Sequence, residues 1–362
     1  MEPTPIEPSR DVILAALAGV IDPELQRPVT ELDMVRDIEI DDGVVSLTIV
    51  LTIAGCPLRD SFERQVEQAF ADVPGVRGFS LSFGVMTPEE RQALTTKLRG
   101  GAPERDNVVR LPRDCRVVAV ASGKGGVGKS SLTANLAVAF SQMGKRVGIL
   151  DADIYGHSIP HILGIHQKPV AVDEMIVPPV KDGLKLMSIG FFLDGNEPVM
   201  WRGPMLHRAL EQFLTDVHWG EIDVLVVDMP PGTGDISISL GQLLPRAEVV
   251  VVTTPQKLAQ DVASRAASMA RKTNMRLLGV IENMTGDVFG HGGGAALAEE
   301  LGVPLLGQVP LDPLLREQGD EGVPIVSALP DTDSAQAILA IAEAIAAHRE
   351  AGSIIKSLPL VS

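Results

Sequence analysis

Apolar positions along residues 1–86 change period several times. Residues 10–20 repeat at helical spacing. Residues 44–52 are rich in Val, Ile, Leu and Thr after the turn Asp41-Asp42-Gly43, which predicts a strand. Leu58, Phe62, Val66 and Phe70 then share one face of a helix over 57–70, and a short strand is expected near 76–83. The segment reads as a small α+β domain. Over 87–115 the apolar period fades: Thr87-Pro88-Glu89-Glu90 marks a helical end, and Gly100-Gly101-Ala102-Pro103 a linker. From Arg116 onward, continuous apolar runs at 117–121, 147–151, 184–189, 224–228, 249–253 and 277–281 predict strands. Stretches at 130–143, 205–217, 260–272 and 334–348 predict helices between and after them. This alternation predicts an α/β fold over 116–350, with a mainly parallel sheet covered by helices on both faces. A short tail, 351–362, follows, and no internal repeat is present.

Composition narrows the function classes. A chain of 362 residues exceeds one domain of about 100–200 residues. Aromatics are only 3%, so the core must be aliphatic. Acidic residues outnumber basic ones 47 to 31, giving a net charge of −16 that repels phosphate backbones and anionic lipid. Nucleic-acid and membrane partners are therefore not expected. Cys56 and Cys115 fall in different units, so a disulfide framework is not expected either. The start Met1-Glu2-Pro3-Thr4-Pro5 lacks the pattern of a signal peptide, and no run of 18 apolar residues occurs. The expectation is a cytoplasmic protein.

One motif carries chemistry on its own. Gly123, Lys124, Gly125, Gly126, Val127, Gly128, Lys129 and Ser130 match G-x-x-x-x-G-K-[ST], with Ser131 following, between a predicted strand and a predicted helix. Glycines let successive N–H groups converge on one concavity, and the helix N-terminus adds partial positive charge, so phosphate is held by geometry and field together. Lys129 is expected to reach the β- and γ-phosphates of ATP, and the Ser130 hydroxyl to ligate Mg²⁺. Asp151 and Asp153 end the second strand of this domain, on the edge where parallel sheets bind ligands; Asp151 reads equally as a turn cap. Asp228 ends the strand Leu225-Val226-Val227 and suits a Mg²⁺ ligand, ahead of a Gly232/Gly234 loop able to sense a γ-phosphate. Asn283 offers both a donor and an acceptor, as a base edge requires; on residue type alone it is a turn residue.

The string Lys124 to Ser130 resembles the deviant Walker A of the MinD/ParA class. With Asp151-Ala152-Asp153-Ile154-Tyr155-Gly156, Trp201-Arg202-Gly203-Pro204, 228–235, Glu282-Asn283-Met284 and Phe289-Gly290-His291-Gly292-Gly293-Gly294, the chain resembles the Mrp-type (ApbC-like) iron–sulfur cluster carrier ATPases over roughly 115–350. The resemblance implies a homodimer in which Lys124 reaches the partner subunit's phosphates, Asp153 positions the attacking water and Asn283 reads adenine. It implies ATP hydrolysis with Mg²⁺ and iron–sulfur clients or scaffold proteins as partners. Asp22-Pro23-Glu24, 31–35 and Gly55-Cys56-Pro57 make the first domain similar to the iron–sulfur cluster assembly domain often fused to these ATPases.

One departure bears on cargo. The family usually places a C-x-x-C pair between Glu-Asn-Met and Phe-Gly-His; here Thr285-Gly286-Asp287-Val288 stands there instead. A cluster bound by the ATPase domain does not follow from this chain, and the candidate cluster thiol becomes Cys56. Pro57 at the first helical position would put Cys56 at the N-cap, where the dipole favours thiolate. Cys115 reads as incidental. The alternative function is a MinD/ParA-like switch that regulates or positions a partner without carrying a cluster.

Overall fold

A computed structural model describes residues 7–52, 59–98, 109, 111–154, 156–192 and 203–350. The elements run α1 (Arg10–Leu17), β1 (Val35–Asp41), β2 (Val44–Leu51), α2 (Arg59–Phe70), β3 (Gly78–Val85), α3 (Pro88–Leu98), β4 (Arg116–Ser122), α4 (Lys129–Gln142), β5 (Val147–Asp151) and α5 (Ile159–Ile162). There follow β6 (Val170–Val172), β7 (Met175–Val177), β8 (Val180–Lys181), β9 (Leu184–Ser188), α6 (Gly203–Thr215), β10 (Val224–Asp228), α7 (Asp235–Leu243) and β11 (Glu248–Thr253). The last described elements are α8 (Lys257–Lys272), β12 (Arg276–Thr285), α9 (Gly293–Leu301), β13 (Leu305–Pro310), α10 (Pro313–Asp320), α11 (Ile325–Ala328) and α12 (Asp333–Glu350). No helix among the described residues is long and apolar enough to cross a membrane.

Two compact units form. The first takes 1–107 together with 170–178 and 216–218. Its sheet has the order β1-β2-β3, antiparallel then parallel. Along β2, Val45, Leu47, Ile49 and Leu51 are buried on one face, as strand alternation dictates. They meet Phe62, Val66 and Phe70 of α2 and Ile13 and Leu17 of α1. Phe70 sets its ring edge against Phe79 at 6.0 Å, within the range of favourable aromatic pairs. The β6–β7 hairpin joins this core through Val172, Met175 and Val177, and Thr95 Oγ1 donates to the Val172 carbonyl. Asp173 takes φ 55° in the tight turn, a conformation Asp tolerates.

The second unit is built on an eight-stranded sheet, β13-β12-β11-β4-β10-β5-β9-β8, parallel except for β8 against β9. Strands β4, β5 and β10 are buried throughout, which is why their sequences are continuous apolar runs. Helices α4 and α12 pack together, with Leu132, Leu136 and Phe140 among Ile338, Ile341 and Ile345. Helices α7, α8 and α9 form a second group with β11 and β12. The chain leaves β4 toward β5 on one side and returns to β11 on the other. The carboxyl end of β4 is therefore a point where strand order reverses, and such points open a crevice for ligands.

Candidate nucleotide-binding site

The crevice receives residues from three parallel strands. The P-loop, 123–130, joins β4 to α4, and Asp151 and Asp228 stand opposite each other in register on β5 and β10. Gly123 passes so close to α8 that a Cβ there would lie 2.2 Å from the Val262 carbonyl carbon. A larger residue would push the loop off its strand. The segment after Asp228 returns along β4: Met229 N–H donates to Val120 and Gly232 N–H to Ser122, at 3.0 and 2.8 Å. The loop expected to sense a γ-phosphate thus lies beside the start of the P-loop.

At the floor of the crevice, Asp228 is fully buried and accepts three donors. Ser130 Oγ reaches its Oδ2 at 2.6 Å, Thr133 Oγ1 its Oδ1 at 2.8 Å, and Lys129 Nζ its Oδ1 at 2.8 Å. Lys129 Nζ also lies 3.3 Å from Asp153 Oδ2. Burial raises the Asp228 carboxyl pKa, and Lys129 opposes that shift. Burial also raises Asp151, with the Asp228 charge adding to it. Asp151 accepts from Ser188 Oγ at 2.9 Å and from the Asp153 N–H at 3.2 Å, so its carboxylate caps the turn that presents Asp153. Lys124 is exposed at the mouth of the loop, and Ser131 is half-buried. Lys129, Ser130, Asp153 and Asp228 therefore meet around one point. Cys56, Tyr155, Trp201 and Arg202 lie outside the described residues.

Asn283 takes an unexpected position. It sits within β12 rather than in a turn, 2% exposed, and its Nδ2 donates to the Val127 carbonyl at 2.9 Å. Its Oδ1 is buried with no hydrogen-bond partner among the described residues. Glu282, one residue earlier, faces the loop after β12: its carboxylate accepts from Gly292 N–H at 3.3 Å, Gly294 N–H at 3.0 Å and the Gln308 side chain. Sequence reasoning missed Glu282 and Thr133 as contributors. Thr133 carried a signal, since it follows Lys129 by one helical turn and so shares its face. Between Met284 and Phe289, where the family's cysteine pair would stand, Gly286 and Gly290 exchange backbone hydrogen bonds across a closed loop. No group of three or more His, Cys, Asp or Glu among the described residues could hold a metal ion.

In the first unit, Asp22 is buried and its Oδ1 accepts from the Glu24 and Leu25 N–H groups at 2.9 and 2.8 Å. Burial, and then the Asp22 charge, push the Glu24 carboxyl up to about 7.

Residues 115–346 match the family described as NUBPL iron-transfer P-loop NTPase, and 10–80 match iron-sulfur cluster assembly protein. The iron-sulfur cluster carrier protein of Mycobacterium leprae is 51% identical over 357 residues, covering 94% of this chain and 93% of that one. That of Synechocystis sp. is 43% identical over 352 residues, covering 93% and 96%. Among solved structures, the nucleotide-binding protein in complex with ADP from Archaeoglobus fulgidus is similar at TM-score 0.52 and 33% identity, over 68% of this chain and 95% of that one. The cell division ATPase MinD of Pyrococcus furiosus has TM-score 0.52 and 24% identity over 64% and 98%, a likeness of fold alone. The match over 115–346 favours iron transfer over a positioning switch, and with the fold and the P-loop it settles the family: this chain belongs to the NUBPL iron-transfer P-loop NTPases.

Proposed function

We propose that this protein is a homodimeric, Mg²⁺-dependent ATPase that takes part in assembling iron–sulfur clusters or delivering them to client proteins. The observation that carries the reading is the meeting of Lys129, Ser130, Asp153 and Asp228 at the P-loop of a chain in this family. Lys129 Nζ is held by the Asp153 and Asp228 carboxylates. Incoming phosphates compete for it, and they free Asp153 to accept a hydrogen bond from the water that attacks the γ-phosphorus. The water oxygen bonds to the γ-phosphorus as the bond from that phosphorus to the β,γ-bridging oxygen breaks; ADP leaves with that electron pair, and the water's proton passes to the departing phosphate. Ser130 Oγ and the Asp228 carboxylate form a hard oxygen donor set that fits Mg²⁺, which when bound neutralises phosphate charge.

Asp153→Ala is expected to keep ATP affinity at or above the wild-type level, because the lysine loses a competing carboxylate. Turnover should fall on the order of 10²–10⁴-fold, the range for losing a positioned base. Lys124→Ala should lower turnover more than binding, since an exposed lysine supplied across a dimer acts on transition-state charge. Calorimetry beside phosphate release reads both variants. Equal losses in binding and turnover for Asp153→Ala would sink its assignment. So would an Asp153→Ala protein that stays monomeric with ATP, for the dimer.

The cargo half of the reading rests on the relatives named iron-sulfur cluster carrier proteins. The chain has two cysteines, so any thiolate ligation must use Cys56 or Cys115. Cys115 is partly buried and donates to the Arg116 carbonyl, a structural placement. Anaerobic reconstitution with iron and sulfide should load the wild type and Cys115→Ser alike, and Cys56→Ser to less than half. Full iron in Cys56→Ser, or none in the wild type, would make Cys56 a structural residue rather than a cluster ligand.

A further inference from the structure

The geometry points to Asn283 as a positioning residue for the phosphate loop itself, acting on the Val127–Gly128 peptide rather than on the adenine ring alone. This deepens the nucleotide-binding reading above and rests on it.

Asn283 Nδ2 donates to the Val127 carbonyl at 2.9 Å, and the pair is buried. No peptide bond among the described residues is cis, so within the shared peptide plane the Gly128 N–H points the opposite way to the Val127 carbonyl. Holding that carbonyl against β12 therefore aims the Gly128 N–H away from the strand, toward the open side of the loop. That N–H is one of the donors a phosphate needs at a helix N-terminus. Rotating this peptide would bring the carbonyl oxygen round instead and set negative charge against the phosphates.

The surrounding backbone is built to the same end. Gly128 is at φ 81°, and a Cβ there would lie 2.2 Å from Asn283 Nδ2. The last glycine of the motif is thus required twice, by its left-handed conformation and by the amide pressed against it. On β12, the register against β13 shifts between Asn283 and Thr285, and Met284 takes φ 61°. A left-handed Met is costly and persists only where the surroundings hold it. The Met284 methyl would lie 3.5 Å from the same Gly128 Cβ, so both residues of the irregular strand end bear on one point of the loop. Glu282 anchors the other side of this strand end through the Gly292 and Gly294 N–H groups.

Inorganic tripolyphosphate separates the two roles, because it has phosphates and no base. Calorimetry compares tripolyphosphate and ATP with the wild type, Asn283→Ser and Asn283→Asp. Serine is too short to reach Val127. Aspartate keeps the shape but sets an acceptor against the carbonyl. We expect tripolyphosphate to weaken about tenfold with Asn283→Ser, in line with one lost hydrogen bond, and further with Asn283→Asp at pH 8. Relative to the wild type at each pH, the Asp variant should recover affinity as pH falls and its carboxyl gains a proton to donate. A purely packing role has no such pH profile. Wild-type tripolyphosphate affinity in both variants, with only ATP weakened, would overturn the inference and leave Asn283 as a base reader. Should Asn283→Asp fail to fold, Asn283→Ser alone decides between these results. A wild type that binds ATP separates failure here from failure of the nucleotide-binding reading, which would take this inference with it.

Discussion

Lys129→Ala is expected to abolish measurable ATP binding, with affinity falling at least on the order of 10²–10³-fold. The ammonium is the only cationic group within ion-pair distance of the floor carboxylates among the described residues, and it is 6% exposed. In such a shielded site each hydrogen bond to a charged group contributes about 1.5–3 kcal/mol, and the field of the charge adds to it. The same substitution strips Asp228 of its counter-charge while it stays fully buried beside Asp151. Breaking a buried pair from one side typically costs about 3–5 kcal/mol, so the variant should also melt earlier. Binding and folding losses separate in the double variant Lys129→Ala/Asp228→Asn. Removing the stranded charge should restore much of the melting temperature and none of the ATP binding. Calorimetry and thermal unfolding on the three proteins check this; ATP affinity equal to wild type in Lys129→Ala would undo the phosphate assignment.

The parts of this site that were legible in the sequence are those written in local code. A glycine loop between an apolar strand and a helix fixes its own geometry, so Lys129 and Ser130 could be placed from spacing alone. Asp153 and Asp228 were legible for a reason one step removed: both follow apolar strands, and parallel strands end on one edge. Their approach to a shared lysine depends on β10 lying between β4 and β5, an order that no local pattern carries. Asn283 shows the opposite case. An Asn after an apolar run resembles a turn residue by propensity, yet it lies within β12 with its amide on the Val127 carbonyl of the P-loop. The β6–β7 hairpin is similar. It is not among the strands expected from the sequence, and nothing in 170–178 says that Val172, Met175 and Val177 fill the core of the first unit. Long-range packing of this kind is set by shape, which a periodicity does not encode.

The second large effect is expected at Asp228. Asp228→Asn keeps the size of the side chain; its amide oxygen can still accept from one of the Ser130 and Thr133 hydroxyls and its NH2 can donate to the other, so the protein should fold. What it loses is the charge that makes the carboxylate a hard anionic ligand, and with it the response to the metal. ATP affinity in the variant should become the same with Mg²⁺ as with a chelator, while wild-type affinity is expected to depend on the ion. Turnover should fall on the order of 10³-fold, comparable to removing a principal electrostatic stabiliser of the transition state. Asp153→Asn serves as the control, since it sits at the same lysine but outside the hydroxyl pair that binds Asp228. It should slow hydrolysis and leave the Mg²⁺ response intact. Titrating Mg²⁺ against both variants, by calorimetry and by phosphate release, reads the contrast directly. If the two respond to Mg²⁺ alike, the division between a metal-holding Asp228 and a water-positioning Asp153 is wrong, and both carboxylates serve only to hold Lys129.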